Sequence, residues 1–376
     1  MTSQIKFRIF IGLSLGLMLY GCASPDRGAP DEKPVGPEYY SVADYDKVEK
    51  IDAHVHLETH DSLFAQLAIK DNFRLLTINY DDVNEGPPME IQPNPALDQV
   101  KMFPEYINYA TTVSIRKFID TDWMDKTIAY IKNSVDQGAK AVKIYKVIGM
   151  SLRDKKGKLV MIDDARFDSL FDYLEKNNIP VVGHLGEPRN CWLPADEMTT
   201  KGDASYFTEF PAYHMYLHPE MPSYEDQIRA RDNMLAKHPK LTFVGAHLGS
   251  LEWNVDSLAA RLDRFPNMAV DMAARIVHLE FQARDNWQKV HDFMVKYSDR
   301  LLYATDIYIN QTSDYPQAVK SAHDRWASDF TFLTSDEKMK SQDFDGEFAG
   351  LKLPKEVVDN IYSKNAQRWL GIFKNK

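Results

Sequence analysis

The stretch Ile51-Asp52-Ala53-His54-Val55-His56 decides how the rest of the chain is interpreted, because it places two histidines at the end of an apolar strand pattern. Residues two apart in a β-strand point to the same face of the sheet. His54 and His56 can therefore present two imidazoles side by side, with Val55 on the opposite face. Neutral imidazole is a good ligand for zinc and similar divalent ions. Taken alone, the pattern also fits two surface histidines on an exposed strand.

Outward from this stretch, strand-like runs alternate with helical patterns. The predicted strands cover residues 48–56, 73–80, 107–115, 139–145, 179–184, 241–247, 268–272 and 301–306. Several runs are continuously apolar, which is typical of a parallel sheet that is covered on both faces. Helical spacing separates the runs, as in Met124, Ile128, Ile131 and Val135, which follow the predicted N-cap Asp122.

This alternation of strands and helices predicts the fold class α/β, in the form of a (β/α)8 TIM barrel. An open, doubly wound sheet is the alternative. No Gly-x-Gly-x-x-Gly sequence follows any predicted strand. The missing glycine pattern weakens a nucleotide-binding form of that alternative.

The C-terminal ends of the predicted strands carry several side chains that can bind metals. His54 and His56 end strand 1, His184 ends strand 5, His247 ends strand 6 and Asp306 ends strand 8. Chemistry in a barrel takes place at these ends, and a random placement of histidines would not favour them. For Asp306, the structural alternative is an N-cap of the helix after strand 8.

The N-terminal segment has the pattern of a secretion signal. Positive charges precede an apolar run at residues 9–20, which ends in Leu19-Tyr20-Gly21-Cys22. This end resembles the bacterial lipobox, in which the cysteine is lipidated. We therefore predict a signal peptide at residues 1–21, lipidation of Cys22, a flexible stalk at 22–47 and a barrel domain at 48–376. The lipid would anchor the domain to a membrane of the cell envelope, facing the periplasm or the outside. An uncleaved anchor and an ordinary secretory signal are the alternatives.

Charge and cysteine content narrow the choice of partners. The formal net charge of −10 argues against nucleic acid as a partner. If Cys22 carries a lipid, only Cys191 remains, so no intrachain disulfide is expected. Cys191 could be a ligand or a nucleophile, but a packed thiol is the simpler interpretation.

An ordered series of motifs ends the predicted strands: Asp52-Ala53-His54-Val55-His56, Val182-Gly183-His184, Gly245-Ala246-His247-Leu248-Gly249 and Ala304-Thr305-Asp306. The series resembles that of the amidohydrolase superfamily. The branch that it resembles most is the amidohydrolase-related group, which includes aromatic-acid decarboxylases and sugar-lactone hydrolases. The resemblance covers about residues 50–372. It is specific for the superfamily and its metal-dependent hydrolase type of barrel, and it does not specify the reaction.

The resemblance implies a role for each residue at the strand ends. His54, His56, His184 and Asp306 would hold one divalent metal ion, zinc or alternatively manganese. Such an ion lowers the pKa of water from 15.7 toward about 7. Asp306 would also act as general base, and the catalytic side chain His247 would polarise a carbonyl group or stabilise an oxyanion.

Lys143 falls on predicted strand 4. Some binuclear members of the superfamily carry a carboxylated lysine at this position, but the branch resembled here usually holds one metal. We therefore expect an unmodified Lys143 that binds a carboxylate or hydroxyl group of the substrate. A buried lysine is costly unless it is paired, so a surface role is expected for Lys146 instead.

Residues 185–222 and 307–353 lack strong periodicity, and loops of this length are usually lids or binding segments. In the first of them, Arg189 could clamp a carboxylate and Trp192 could stack on a ring. Alternatively, both only pack the loop against the rim. Arg275, after strand 7, is a further candidate for a carboxylate or phosphate contact.

Three functions fit these features. The first is a metal-dependent hydrolase that cleaves a lactone, ester or amide bond of a small molecule, sugar-derived or carboxylated. The second is a non-oxidative decarboxylase that uses the same metal. The third is a lipoprotein that binds glycans or a partner without catalysis. The intact ligand set argues against the third function, and the secretion signal favours the first.

Overall fold

The computed structural model describes residues 37–82 and 93–374, and every structural statement below concerns these residues. Their main feature is a parallel sheet of nine strands. The strands are β1 (Lys50–Glu58), β2 (Phe73–Ile78), β3 (Ile107–Thr112), β4 (Val142–Ile144), β5 (Val181–Gly183), β6 (Phe243–Gly245), β7 (Met268–Asp271), β8 (Leu301–Leu302) and β9 (Ile307–Asn310). An antiparallel pair, β10 (Lys338–Lys340) and β11 (Glu347–Ala349), lies outside this sheet.

The strand order is β8-β7-β6-β5-β4-β3-β2-β1-β9, so neighbours in the sheet are neighbours along the chain. A doubly wound sheet would reverse its order at a switch point, and the observed order has none. The edge strands β8 and β9 are pieces of one stretch, residues 301–310. Between them, the amide of Ala53 donates to the carbonyl of Tyr303 at 3.0 Å, and the amide of Asp306 donates to the carbonyl of His54 at 2.8 Å. The stretch therefore contacts both β7 and β1, which gives a curled sheet of the TIM-barrel-like type.

Helices connect the strands. They are α1 (Leu63–Lys70), α2 (Pro93–Met102), α3 (Trp123–Asp136), α4 (Val147–Met150), α5 (Asp168–Lys176), α6 (Lys201–Glu209), α7 (Tyr224–Lys237), α8 (Ala246–Gly249), α9 (Val255–Arg264), α10 (Ile276–Lys296), α11 (Tyr315–Thr334), α12 (Lys355–Asp359) and α13 (Asn365–Leu370). Both α4 and α8 are single turns with non-helical torsion angles inside. Among the helices described, none combines the length and the apolar character that crossing a membrane requires.

The inside of the curled sheet is packed with small and branched apolar side chains. One buried cluster takes residues from β1 to β8 or from positions next to them: Ile51, Ala53, Leu76, Ile78, Ala110, Ala141, Val182, Val244, Ala246, Ala269 and Leu302. Leu370 at the end of α13 and the nearby Ile372 belong to the same cluster. Full burial of one branched side chain contributes about 1.5–3 kcal/mol. The filled interior leaves the C-terminal ends of the strands as the place for a site.

The prediction for residues 307–353 was wrong. This segment contains β9, the long helix α11 and the pair β10–β11 rather than a loop. Ala322, Trp326, Phe330 and Leu333 are all buried on one face of α11. Their spacing is helical, and Asp314 caps the helix by accepting a hydrogen bond from the amide of Gln317. By contrast, residues 185–222 consist of short 3-10 turns around the single α-helix α6.

The predicted signal peptide (1–21) and Cys22 lie outside the described residues. Residues 37–47, which the sequence analysis assigned to the stalk, contact the domain. The hydroxyl of Tyr40 donates to Asp359 at 2.8 Å, and the hydroxyl of Tyr45 donates to Asp71 at 2.9 Å. The folded unit accordingly takes in the chain from Pro37 onward.

Candidate metal centre

The end of β1 brings two imidazoles to one carboxylate. Nε2 of His54 lies 3.4 Å from Oδ1 of Asp306, and Nε2 of His56 lies 3.3 Å from the same oxygen. All three candidate ligand atoms lie within 4.8 Å of one another. The structure therefore brings together three of the four metal ligands implied by the resemblance.

The other nitrogen of each imidazole is held from behind. Nδ1 of His54 lies 2.8 Å from Oδ2 of Asp271, and Nδ1 of His56 lies 2.6 Å from the carbonyl oxygen of Ile78. Carboxylate and carbonyl oxygens only accept, so both Nδ1 atoms carry the proton and both Nε2 atoms keep a lone pair. Imidazoles oriented in this way are typical metal ligands. The donor set therefore fits a divalent ion.

His184, the fourth implied ligand, is not part of this group. Its Nε2 atom lies 3.4 Å from Oε2 of Glu187, and its ring centroid lies 4.2 Å from that of His247. Burial lowers the pKa of His184 to about 4, so the imidazole is neutral at neutral pH. Its role as a ligand stays a prediction.

Left-handed backbone conformations occur where the strands end. The φ angle is 65° at Asp306, 59° at His247 and 56° at Leu248. Such angles are costly for residues other than glycine, and they concentrate at functional sites. Although burial opposes its charge, the pKa of Asp306 lies well below its usual range when the imidazoles of His247, His56 and His54 carry protons. With these imidazoles neutral, binding of a divalent ion would require the same carboxylate form of Asp306.

His247 lies beside the three-ligand group. Its ring centroid is 5.2 Å from that of His54. Its amide donates to Oδ1 of Asp271 at 2.8 Å, and its Nδ1 atom donates to the carbonyl of Ala273 at 2.9 Å. The Nε2 atom of the neutral ring therefore has a lone pair and no proton. Burial lowers the pKa of His247 well below its usual range, which keeps the ring neutral.

Lys143 is buried at the end of β4, with 1 % of its surface exposed. Its Nζ atom lies 3.0 Å from Nε2 of His54, the nitrogen that would face a metal ion. Burial lowers the pKa of Lys143 to about 8. The structure thus places Lys143 at the wall of the cavity, and its role in binding substrate stays a prediction.

These residues line one cavity of about 340 Å³. Its walls are formed by His54, His56, Tyr80, Lys143, Tyr145, Lys146, His184, Glu187, Asp203, Tyr206, Phe207, His247, Ala274, Arg275, Asp306 and Tyr308. Arg275, a predicted substrate contact, is among them, but one of its terminal guanidinium nitrogens already contacts Oδ1 of Asp203 at 2.9 Å.

Residues 113–372, more than half of the chain, match the sequence model of a family described as Amidohydrolase. The chain belongs to the amidohydrolase family. The matched part includes His184, His247 and Asp306. It begins after β1, so the structure, and not the family match, is what assigns His54 and His56 to the site. A search among curated proteins found no match.

Three solved structures illustrate the distant likeness of this amidohydrolase to others. The 4-oxalomesaconate hydratase from Rhodopseudomonas palustris is 13% identical, covers 86% of this chain and 95% of its own, and has a TM-score of 0.45. An amidohydrolase from Mycobacterium avium subsp. paratuberculosis is 13% identical, with coverages of 84% and 75% and a TM-score of 0.42. An amidohydrolase from Pseudomonas aeruginosa is 11% identical, with coverages of 89% and 99% and a TM-score of 0.43. Likenesses of this size say nothing about the substrate.

Two predicted substrate contacts of the amidohydrolase are not among the described residues that line the cavity. The guanidinium of Arg189 lies 4.3 Å over the ring of Trp253. Nε1 of Trp192 donates to the carbonyl of Pro222 at 3.1 Å, and its ring packs 5.5 Å from that of Tyr224. These contacts fit the structural alternative, in which Arg189 and Trp192 pack residues 185–222, and their roles as substrate contacts stay predictions.

Sequence reasoning missed three charged residues of the cavity, namely Lys146, Glu187 and Asp203. Lys146, expected at the surface, is 4 % exposed and donates to Oε1 of Glu187. Although burial opposes both charges, the pair keeps the pKa of Lys146 well above its usual range and lowers that of Glu187 to about 2. A signal was present, because Lys146 follows Lys143 by three residues and Glu187 follows His184 by three.

Cys191 is buried, and its thiol donates to the carbonyl of Tyr213 at 2.9 Å, as expected of a packed thiol.

Proposed function

We propose that this amidohydrolase is a metal-dependent hydrolase that cleaves a lactone, ester or amide bond of a small molecule. One divalent ion, zinc or manganese, would be held by His54, His56, Asp306 and the predicted fourth ligand His184, at the mouth of a closed (β/α)8 barrel. The observation that supports this proposal most is the approach of two Nε2 atoms and one carboxylate oxygen to within 4.8 Å. The two histidines and the aspartate lie far apart in the sequence. Binding of a common metal ion would explain why the fold brings them together.

A divalent ion at this position would supply Lewis acidity, which polarises a carbonyl group and makes water more acidic. The protein's own groups handle the protons. Asp306 is ionised and lies at the cavity, so it can accept a proton from attacking water. The ammonium of Lys143 lies 3.0 Å from Nε2 of His54, and it can stabilise negative charge on the carbonyl oxygen of the substrate.

The proton positions change the role implied for His247. To polarise a carbonyl group, the ring would need a proton at Nε2, but the bond from Nδ1 to Ala273 leaves Nε2 with a lone pair. We therefore propose that His247 accepts at Nε2 the second proton of the attacking water, after Asp306 has taken the first. The imidazolium can then return this proton to the oxygen or nitrogen of the leaving group.

A non-oxidative decarboxylase is the second candidate. It is favoured by the position of Lys143, whose ammonium lies 3.0 Å from Nε2 of His54 and could bind a substrate carboxylate. Membership of an enzyme family argues against the third hypothesis, a lipoprotein that binds without catalysis.

The metal is tested by elemental analysis of the purified chain, which should contain about one divalent ion. His54→Ala should lose the ion, and His60→Ala is the matched control because His60 is exposed and does not line the cavity. The reaction is tested with a panel of lactones, esters and amides, with release of carbon dioxide measured in parallel. A metal-free wild-type chain would contradict the proposal, and carbon dioxide without hydrolysis would select the decarboxylase.

We further propose that a lipid on Cys22, after removal of residues 1–21, anchors the enzyme to a membrane of the cell envelope. This proposal rests on the sequence alone. Mass spectrometry of the mature N-terminus should find a diacylglyceryl group on Cys22. Cys22→Ser should move the protein to the soluble fraction, and an unmodified N-terminus would contradict the anchor.

A further inference from the structure

Besides Lys143, the wall of the cavity carries two cations, and each has a carboxylate of the protein as its partner. Lys146 donates to Glu187, and one of the terminal guanidinium nitrogens of Arg275 contacts Asp203 at 2.9 Å. Glu187 and Asp203 themselves line the cavity. A substrate carboxylate would therefore meet cations whose charge is already balanced by a carboxylate of the protein, which removes most of the electrostatic advantage of binding there.

The carboxylate of Asp203 is also held by two other groups. Nδ2 of Asn190 donates to it at 2.8 Å, and Nε2 of His278 lies 3.2 Å from it. Although burial opposes ionisation, Arg275 and His278 hold the pKa of Asp203 well below its usual range. Asp203 is thus a fixed negative charge, and it is not a side chain that moves aside when an anion arrives.

The inner end of the cavity has the opposite character. Lys143 and the proposed divalent ion would together bring three positive charges, against two negative charges, on Asp306 and on Asp271 behind His54. Positive charge is therefore concentrated where a carbonyl oxygen becomes negative, and it is balanced everywhere else. An arrangement of this kind favours one negative centre on the bound molecule.

Aromatic rings form the rest of the wall. They belong to Tyr80, Tyr145, Tyr206, Phe207 and Tyr308. The ring of Tyr80 lies 5.2 Å from that of His56 and 5.1 Å from that of Tyr145, and Tyr145 lies 5.6 Å from His184. Rings with hydroxyl groups offer flat apolar faces together with polar edges, which suit the faces of sugar or aromatic rings.

We propose that the substrate is a neutral ring-bearing lactone or ester with a single reacting carbonyl group, and that the site discriminates against molecules with two or more carboxylates. This inference rests on the proposed hydrolase function. The oxygen of water adds to the carbonyl carbon, and the bond from that carbon to the ring or ester oxygen breaks. One proton of the water goes to Asp306 and is then released, and the other reaches the leaving oxygen through His247. The products are one alcohol group and one carboxylate, so a single negative charge appears, at the inner end.

Two matched pairs of product analogues test the charge preference on the metal-loaded enzyme. Gluconate and glucarate differ by one carboxylate on the same sugar chain, and benzoate and terephthalate differ by one carboxylate on the same ring. One pair has the sugar chain or the ring that fits the site. For that pair, isothermal titration calorimetry should show that the monoanion binds at least about tenfold more tightly than the dianion. Equal or tighter binding of the dianion would overturn the proposal.

Charge-removing variants test the cause. Asp203→Asn leaves Arg275 without its carboxylate, and Glu187→Gln does the same to Lys146 in a different part of the wall. Each should reduce the preference for the monoanion severalfold, because the released cation can then bind the second carboxylate. Asp285→Asn is the matched control, because Asp285 forms an exposed pair with Arg284 outside the cavity. An unchanged preference in both cavity variants, with wild-type melting temperature, would contradict the proposed cause.

Metal content separates this inference from the function on which it rests. A chain that holds no divalent ion and hydrolyses nothing would end the proposed function. A chain that holds the ion and hydrolyses dicarboxylate esters as well as neutral ones would end only the substrate class proposed here.

Discussion

Asp271 holds His54 in place through a contact of 2.8 Å between Oδ2 of the carboxylate and Nδ1 of the imidazole. The other oxygen of the same carboxylate accepts hydrogen bonds from the amide of His247 at 2.8 Å and from the amide of Ala273 at 3.1 Å. One buried side chain at the end of β7 thus fixes a candidate metal ligand on β1 and the proposed proton carrier after β6. The relative position of these two groups depends on a single carboxylate.

Asp271→Asn should weaken metal binding by about 10–100-fold, which is the usual cost of losing a partner behind a metal-binding imidazole. The asparagine amide has one acceptor oxygen and one donor nitrogen, so it cannot accept from both His54 and the amide of His247. Competition with a chromogenic chelator measures the change. Asp256→Asn is the control, because that carboxylate is exposed on α9. Unchanged affinity in Asp271→Asn would show that the contact does not orient the ligand.

Lys143→Met should raise the affinity for the divalent ion and lower turnover. The ammonium lies 3.0 Å from the nitrogen of His54 that would bind the ion, so two positive charges compete for one place. We expect an increase in affinity of about tenfold, since one nearby unit charge shifts such equilibria by about one decade or more. Lys140→Met, on an exposed residue before β4, is the matched control. Loss of the ion from Lys143→Met would instead make this lysine part of the ligand shell.

The sequence predicted the site best where topology alone determines position. The ends of the first and the last predicted strand meet in any closed parallel arrangement, so the sequence could bring His54, His56 and Asp306 together without knowledge of any side-chain contact. Asp271 also ends a strand, β7, so the same reasoning could have been applied to it. It was not singled out, because only the structure shows that its carboxylate turns to Nδ1 of His54.

The irregular segments were harder to predict because packing decides their side-chain directions. Arg189 and Glu187 lie two residues apart, yet one stacks on Trp253 and the other lines the cavity. No period relates these neighbours, because Glu187 lies in an irregular stretch and Arg189 begins a 3-10 turn. The failure at α11 was of another kind, because Trp326 and Phe330 already had helical spacing in the sequence.

Arg189→Ala should lower stability with little effect on KM. Its guanidinium packs on Trp253 outside the cavity, and a cation–π contact of this kind contributes about 0.5–2 kcal/mol. Lys146→Met should lower stability and also change KM. Lys146 lines the cavity, and its loss leaves Glu187 buried without its cation. Urea denaturation and steady-state kinetics on both variants separate the two effects. A raised KM in Arg189→Ala with unchanged stability would return this residue to the substrate.

Glu280 provides a test of how pH affects stability away from the site. Burial, and then the charge of Asp329, raise the pKa of Glu280 from 4.5 to about 8, and burial raises the pKa of Asp329 to about 6. A carboxyl group whose pKa is higher in the folded state binds its proton more tightly there. Its contribution to stability is therefore complete below pH 4.5 and is lost as the pH rises through about 8.

Glu280→Gln replaces this group with a neutral one of the same shape. We expect wild type and variant to have similar unfolding free energies at pH 4.5, and the variant to be more stable by about 2 kcal/mol or more at pH 8.5. A shift of one pKa unit corresponds to about 1.4 kcal/mol, so the full shift would set an upper limit of about 5 kcal/mol. Urea denaturation at the two pH values measures the difference, with Glu347→Gln as the exposed control on β11. A difference between Glu280→Gln and wild type that does not change with pH would show that Glu280 titrates in the folded chain as it does in the unfolded one.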